Sequence, residues 1–145
     1  MKKKETILEP IELLKSTSQF INDSRAALCA PYGLSHPQAI LLLDIYHHPN
    51  QTKITDICKR LNKTTNTISP LVKRMMDKGY LTKKQNQEDN RVYEVSFTPM
   101  GKDVMSRINQ DVYLFANPIF NRLTDEEFES LRKSLVILNG VCGLS

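Results

Sequence analysis

Residues 54–91 run ITDICKRLNKTTNTISPLVKRMMDKGYLTKKQNQEDNR, and the spacing of their apolar side chains changes character along the way. Ile54, Ile57, Cys58 and Leu61 recur at helical intervals, and so do Ile68, Leu71, Val72 and Met75. The spacing therefore predicts a short helix from Ile54 to about Leu61 and a second opened by Thr64 as N-cap and closed by Gly79 as C-cap. Pro70 lies inside the second helix, where it removes a backbone donor and predicts a local bend. Leu81 to Gln85 and Val92 to Thr98 read as strands, with Tyr93, Val95 and Phe97 on one side, and the polar tip Asn86 to Asn90 joins them into a hairpin. The order is a helix-turn-helix with a β-hairpin wing behind it.

The second helix opens on Thr64-Thr65-Asn66-Thr67, a run of hydroxyl and amide groups. A core helix has no use for so many hydrogen-bonding side chains in its first turn, whereas a helix entering the major groove meets base edges and phosphates there. Charge agrees. The 145-residue chain carries a net +4, but ten lysines and arginines against four acidic residues fall between 53 and 91, and the remainder is slightly acidic. Lys59 and Arg60 are expected to face outward as part of that field, and nucleic acid is the partner such a field suits.

Working outward, Ser35-His36-Pro37-Gln38 reads as a capping box that starts a helix ending near His48, and Thr52-Lys53 as a very short strand. Ile7, Leu8, Ile11 and Leu14 begin an apolar pattern that Phe20, Ile21, Ala27 and Leu28 continue, a long first helix with a break expected before Cys29. Thr98-Pro99 starts a fifth helix with Val104, Ile108, Val112 and Phe115 on its apolar face, and Pro118 is expected to bend or break it. Thr124-Asp125-Glu126-Glu127 opens a sixth helix with Phe128, Leu131, Leu135 and Leu138 as a heptad-like stripe. The fold class is mainly α with a small β-hairpin wing. One domain spans 1–145, with a winged helix lobe at 36–98, and segments 1–34 and 99–145 carry apolar stripes that a second copy of the chain would cover, making them dimerisation helices.

The 40% apolar and 25% charged composition is that of a soluble globular protein. Met1-Lys2-Lys3-Lys4 imitates the start of a signal peptide, but Glu9, Pro10 and Glu12 interrupt the apolar run it would need, and no stretch reads as a membrane span. Cys29, Cys58 and Cys142 are odd in number and irregularly spaced, which argues against a disulfide framework and against zinc. A reducing cytoplasm is expected, with no metal and no cofactor. No nucleophile elbow, phosphate loop, carboxylate pair or metal triad stands in a context that would make the chain an enzyme.

Several of these pieces resemble the MarR family of transcriptional regulators over nearly the whole chain. Gly33-Leu34-Ser35 before Gln38 is similar to the family's entry into its second helix, and Ile54-Thr55-Asp56-Ile57-Cys58 to its first helix-turn-helix helix. Thr67-Ile68-Ser69-Pro70-Leu71-Val72-Lys73-Arg74-Met75 followed by Gly79-Tyr80-Leu81 resembles the recognition helix and its exit. Asp89-Asn90-Arg91 looks like the wing's D-x-R, and Phe97-Thr98-Pro99-Met100-Gly101 like the junction after it. The Ser69-Pro70 step is similar to the branch that contains peroxide and oxidation sensors, but the stretch from Ile11 to Leu14 lacks that branch's first-helix cysteine, so its redox mechanism does not carry over.

The resemblance implies that the helix opened by Thr64 enters the major groove, with Thr65, Asn66, Thr67 and Ser69 reaching base edges and phosphates. Asn66 is the candidate for a bidentate contact with adenine. Lys73 and Arg74 would sit on phosphates, as would Lys83 and Lys84 in the wing. Arg91 would enter the minor groove, its guanidinium held by Asp89. Cys29, beside Ala30-Pro31-Tyr32, is the candidate redox thiol, and Tyr32, Tyr46, Tyr113 and Phe115 are the candidate lining of an effector pocket. His36, His47 and His48 form no metal-ligand spacing. The expectation is a homodimeric repressor on a pseudo-palindromic operator in double-stranded DNA, released by a small-molecule or oxidative signal. The rival reading is a winged-helix module for protein interaction or a non-specific architectural DNA binder.

Overall fold

The computed structural model describes residues 6–89 and 91–144. The basic start Met1 to Lys4 and Asn90 of the wing tip lie outside the described residues. Within them the chain forms α1 (Leu8–Cys29), a 3-10 turn (Ala30–Tyr32), α2 (His36–His47), α3 (Ile54–Leu61), α4 (Thr65–Asp77), β1 (Leu81–Gln85), β2 (Tyr93–Phe97), α5 (Pro99–Phe120) and α6 (Asp125–Val141).

The predicted helix starts hold. Ser35 and Gln38 satisfy each other's backbone N–H groups reciprocally, and Thr124 and Glu127 do the same at α6. Thr98 caps α5 by accepting the Gly101 N–H at 3.0 Å, while its own hydroxyl donates to the Gly79 carbonyl and its N–H to the Tyr80 carbonyl. One threonine thus joins the end of α4, the hairpin and the start of α5. Gly101 must be glycine here, because a Cβ on it would lie 2.1 Å from the Tyr80 carbonyl oxygen.

Two expectations about breaks are corrected. α1 runs unbroken through Cys29, because Pro31 is accommodated in the first turn of the following 3-10 turn rather than acting upstream. α5 continues past Pro118 to Phe120; so near a helix end the proline costs a single bond in a turn open to water. At Pro70 the sequence predicts a bend within the helix, not a break, and α4 is continuous there.

The core gathers Leu41, Leu42 and Ile45 of α2, Ile54 and Ile57 of α3, Ile68, Val72 and Met75 of α4, Leu81 and Val95 of the hairpin, and Met105 and Ile108 of α5. The strands pair antiparallel with Leu81 opposite Phe97 and Gln85 opposite Tyr93. Lys53 bridges Glu94, and the Val95 N–H donates to the Thr52 carbonyl at 3.1 Å, so the expected short strand is a single bridge on the wing's outer edge. Among the described residues no helix is long and apolar enough to cross a membrane.

Candidate nucleic-acid interface

α3 ends on Asn62, whose φ of 51° is the left-handed conformation that asparagine tolerates better than other side chains. That reversal sends the chain straight into α4. Thr64 has the extended backbone of an N-cap, but its hydroxyl caps no backbone N–H; it lies 3.3 Å from the Thr67 hydroxyl instead. The expected Thr64 cap is therefore one of backbone shape only. Thr64, Thr65, Asn66 and Thr67 are all exposed, and the side chains of Thr65 and Asn66 have no partner among the described residues. Ile68, Val72 and Met75 turn inward, which fixes the polar turn outward by the 3.6-residue period. Pro70, itself exposed, leaves the Asn66 carbonyl without the N–H donor four residues on. The far end of α4 closes by a Schellman arrangement, with the Tyr80 N–H on Met75 and the Gly79 N–H on Met76, so Lys78 is the C-cap and Gly79, at φ 79°, the residue after it.

Between α4 and the hairpin runs a cleft of about 390 Å³ lined by Ser69, Val72, Lys73, Met76, Asp77, Lys83 and Tyr93. The Lys83 ammonium rests 4.1 Å from the centre of the Tyr93 ring, a cation–π contact that keeps it beside Ser69 and Lys73. Lys84 alternates to the other face of β1, opposite Glu94. Arg74 is exposed on α4.

At the wing tip, the Asn86 side-chain oxygen accepts the Glu88 N–H at 2.8 Å, while Asp89 accepts both the Arg91 N–H at 3.0 Å and its Nε at 3.2 Å. These two bonds, the backbone one first, hold the Asp89 carboxyl below the usual carboxylate range. The Arg91 side chain is 92% exposed, so Asp89 holds the guanidinium by its Nε edge while the rest of the group projects into solvent. Asn86 was not legible as an organiser of this turn, although an asparagine at the first corner of a polar tip is a known turn former.

Two cations of the basic segment are used internally. Arg60 does not face outward as expected but forks onto Asp44 of α2, and Lys78 donates to the Gly33 carbonyl. The signal for the first was a lone carboxylate inside the apolar run Leu41-Leu42-Leu43-Asp44-Ile45.

The remaining candidates are scattered. Cys29 is fully buried and burial pushes its thiol pKa up, the opposite of what a reactive thiolate needs, whereas Cys142 is exposed. The Tyr32 hydroxyl donates to Asp111 at 2.6 Å, Tyr46 stacks edge-on against Phe97 and His47, and Phe115 meets Phe20 at 5.9 Å. Tyr113 is exposed. In the single chain Tyr32, Tyr46 and Phe115 thus have different neighbours, and Tyr113 faces solvent. Among the described residues no cluster of metal-ligating side chains occurs.

Residues 34–101 match a family model described as a winged helix DNA-binding domain. The HTH-type transcriptional regulator BilQ of Clostridioides difficile (strain CD3) is 31% identical over 115 residues, which cover 77% of this chain and 74% of BilQ. The chain belongs to the MarR family of winged helix-turn-helix transcriptional regulators. Solved MarR-family folds superpose on this one over most of its length. A MarR protein from Peptoclostridium difficile DA00132 gives a TM-score of 0.77 at 22% identity, covering 94% of this chain and 87% of that one. The S. aureus MepR-DNA complex gives 0.76 at 18% identity, covering 90% and 94%. In this MarR-family fold α3 and α4 form the helix-turn-helix and the β1–β2 hairpin the wing.

Proposed function

We propose that this MarR-family regulator is a cytoplasmic homodimeric repressor, with α4 of each subunit in the major groove of a pseudo-palindromic operator and Arg91 of each wing in the adjacent minor groove. The observation that carries the reading is the uncommitted first turn of α4, where Thr65 and Asn66 are exposed and unpartnered on a helix whose opposite face is buried. Thr64, Thr67 and Ser69 flank that turn, and Lys73, Arg74, Lys83 and Lys84 supply phosphate contacts around it. Homodimerisation is supported by the apolar side chains that α1 and α6 leave open, among them Ile11 and Leu14 at one end and Leu131 and Leu135 at the other. Two-fold symmetry would set the paired recognition helices about 34 Å apart, one turn of duplex.

Release would come from a small-molecule or oxidative signal that alters this spacing. The burial of Cys29 favours a ligand over oxidation of that thiol, and Tyr32, Tyr46, Tyr113 and Phe115 would line its pocket only once the second subunit closes around them. Selection of bound duplexes from a random pool tests the reading. A selected pseudo-palindrome should bind at least ~10³ more tightly than random duplex at physiological salt. A ratio near one would support a non-specific architectural role instead.

A further inference from the structure

Asp44 sits on α2 among the core leucines, with its side chain only 6% exposed, and its two oxygens accept two separate donors of Arg60: Nε at 3.0 Å and Nη2 at 2.8 Å. The Arg60 side chain is itself 18% exposed. His48 Nδ1 lies 3.6 Å from the same carboxylate and 2.8 Å from the Asp44 carbonyl oxygen. A parallel two-bond fork fixes orientation as well as distance, and a carboxylate so enclosed needs its cation.

Arg60 occupies the last turn of α3, two residues before the left-handed Asn62 from which the chain enters α4. α3 is eight residues long; it buries Ile54 and Ile57 and packs the half-buried Cys58 and Leu61 against the same core. Such apolar contacts are non-directional and would allow so short a helix to roll against α2. The fork does not allow it. Any roll of α3 would be passed through the tight turn to the start of α4, where Thr65 and Asn66 stand.

The geometry points to Asp44 and Arg60 as a positioning pair that sets the angle of α4 for specific duplex recognition, without Arg60 itself touching DNA. The inference rests on the DNA-binding function proposed for α4 and adds to it a role for a cation that sequence assigned to the outward field. Its test is a cycle of Asp44→Asn, Arg60→Gln and the double variant in the full chain. Affinities for a selected operator and for a random duplex are measured across a salt series, well below each variant's Tm. Each single variant should weaken operator binding by about tenfold, and the double variant should be no worse than either single. Random-duplex affinity and the salt slope should stay at wild-type values, so that the specificity ratio falls. Arg60→Lys keeps the charge but loses the fork and should not restore the ratio.

A slope reduced by about one on Arg60→Gln, with Asp44→Asn neutral, would make Arg60 a phosphate contact and overturn the proposal. Equal loss on both duplexes would reduce the pair to a purely structural role and overturn it as well. A wild-type protein that shows no duplex preference overturns the DNA-binding function and the positioning role with it. Wild-type specificity combined with a reduced slope or with equal loss in the variants overturns the positioning role alone.

Discussion

The lobe between residues 36 and 98 and the helices on either side of it dispose of their apolar side chains in opposite ways. α2, α3, α4 and the hairpin each send residues into one core, and Ile57 and Met75 have no exposure at all. α6 buries none of its residues: Phe128, Leu131, Leu135 and Leu138 remain 43%, 41%, 42% and 38% exposed. α1 buries only Cys29. The difference is that the lobe's apolar side chains find their partners within the same chain, whereas α1 and α6 leave most of theirs open, which supports the proposal that a second subunit covers them.

The comparison breaks most visibly if the α6 stripe is charged. Leu131→Asp with Leu135→Arg is expected to turn a species of twice the 16.6 kDa chain mass into a monomer in sedimentation equilibrium, while the lobe stays folded. Operator affinity should fall by roughly 10² or more, because the second half-site is no longer tethered. A monomeric wild-type chain would contradict the assignment of α1 and α6.

Within the lobe the strongest stability effect is expected at its junction with α5. Gly101→Ala drives a methyl group into the Tyr80 carbonyl, an overpacking cost of about 1–3 kcal/mol that thermal unfolding reads as a lowered Tm. Next comes the wing. Arg91→Ala should weaken operator binding by roughly tenfold with little change in Tm, since among the described residues its exposed side chain pairs only with Asp89. Unchanged affinity at fixed salt would remove Arg91 from the interface.

The smallest effect concerns pH. Because Asp89 has a depressed pKa in the folded wing, its contribution is present above the unfolded value of about 3.9 and fades as pH falls through the folded value. Asp89→Asn should therefore lower Tm slightly at neutral pH, and the difference from wild type should vanish in acid below the folded value. The Cys29 thiol moves the other way: its folded pKa is raised, so its contribution is complete below the unfolded value of about 8.5 and is lost as pH rises through the folded one. In a thiol-labelling time course Cys142 should react well before Cys29, and equal rates would reopen the redox role.

Much of this architecture was legible in sequence because it is written locally. Ser35/Gln38, Thr98-Pro99 and Thr124/Glu127 name helix starts by capping chemistry that acts over three residues, and the alternation of Tyr93, Val95 and Phe97 names a strand. What was misread depends on contacts between elements. Arg60 looks outward on its own helix and is turned inward by a carboxylate sixteen residues earlier. The exposure of Cys29 is not readable from its proline-turn neighbours, and the core around it seals it. The recognition turn needed no such contact, since the buried Ile68, Val72 and Met75 fix its direction by spacing alone.

The central claim is that this turn reads sequence, and the most direct measurement is the ratio of affinities for a selected operator and a random duplex, taken for wild type and for Asn66→Ala at one salt concentration. A lost bidentate base contact is worth about 1–3 kcal/mol, so the ratio should fall about tenfold or more while random-duplex binding and Tm hold. An Asn66→Ala protein with the wild-type ratio would contradict the claim.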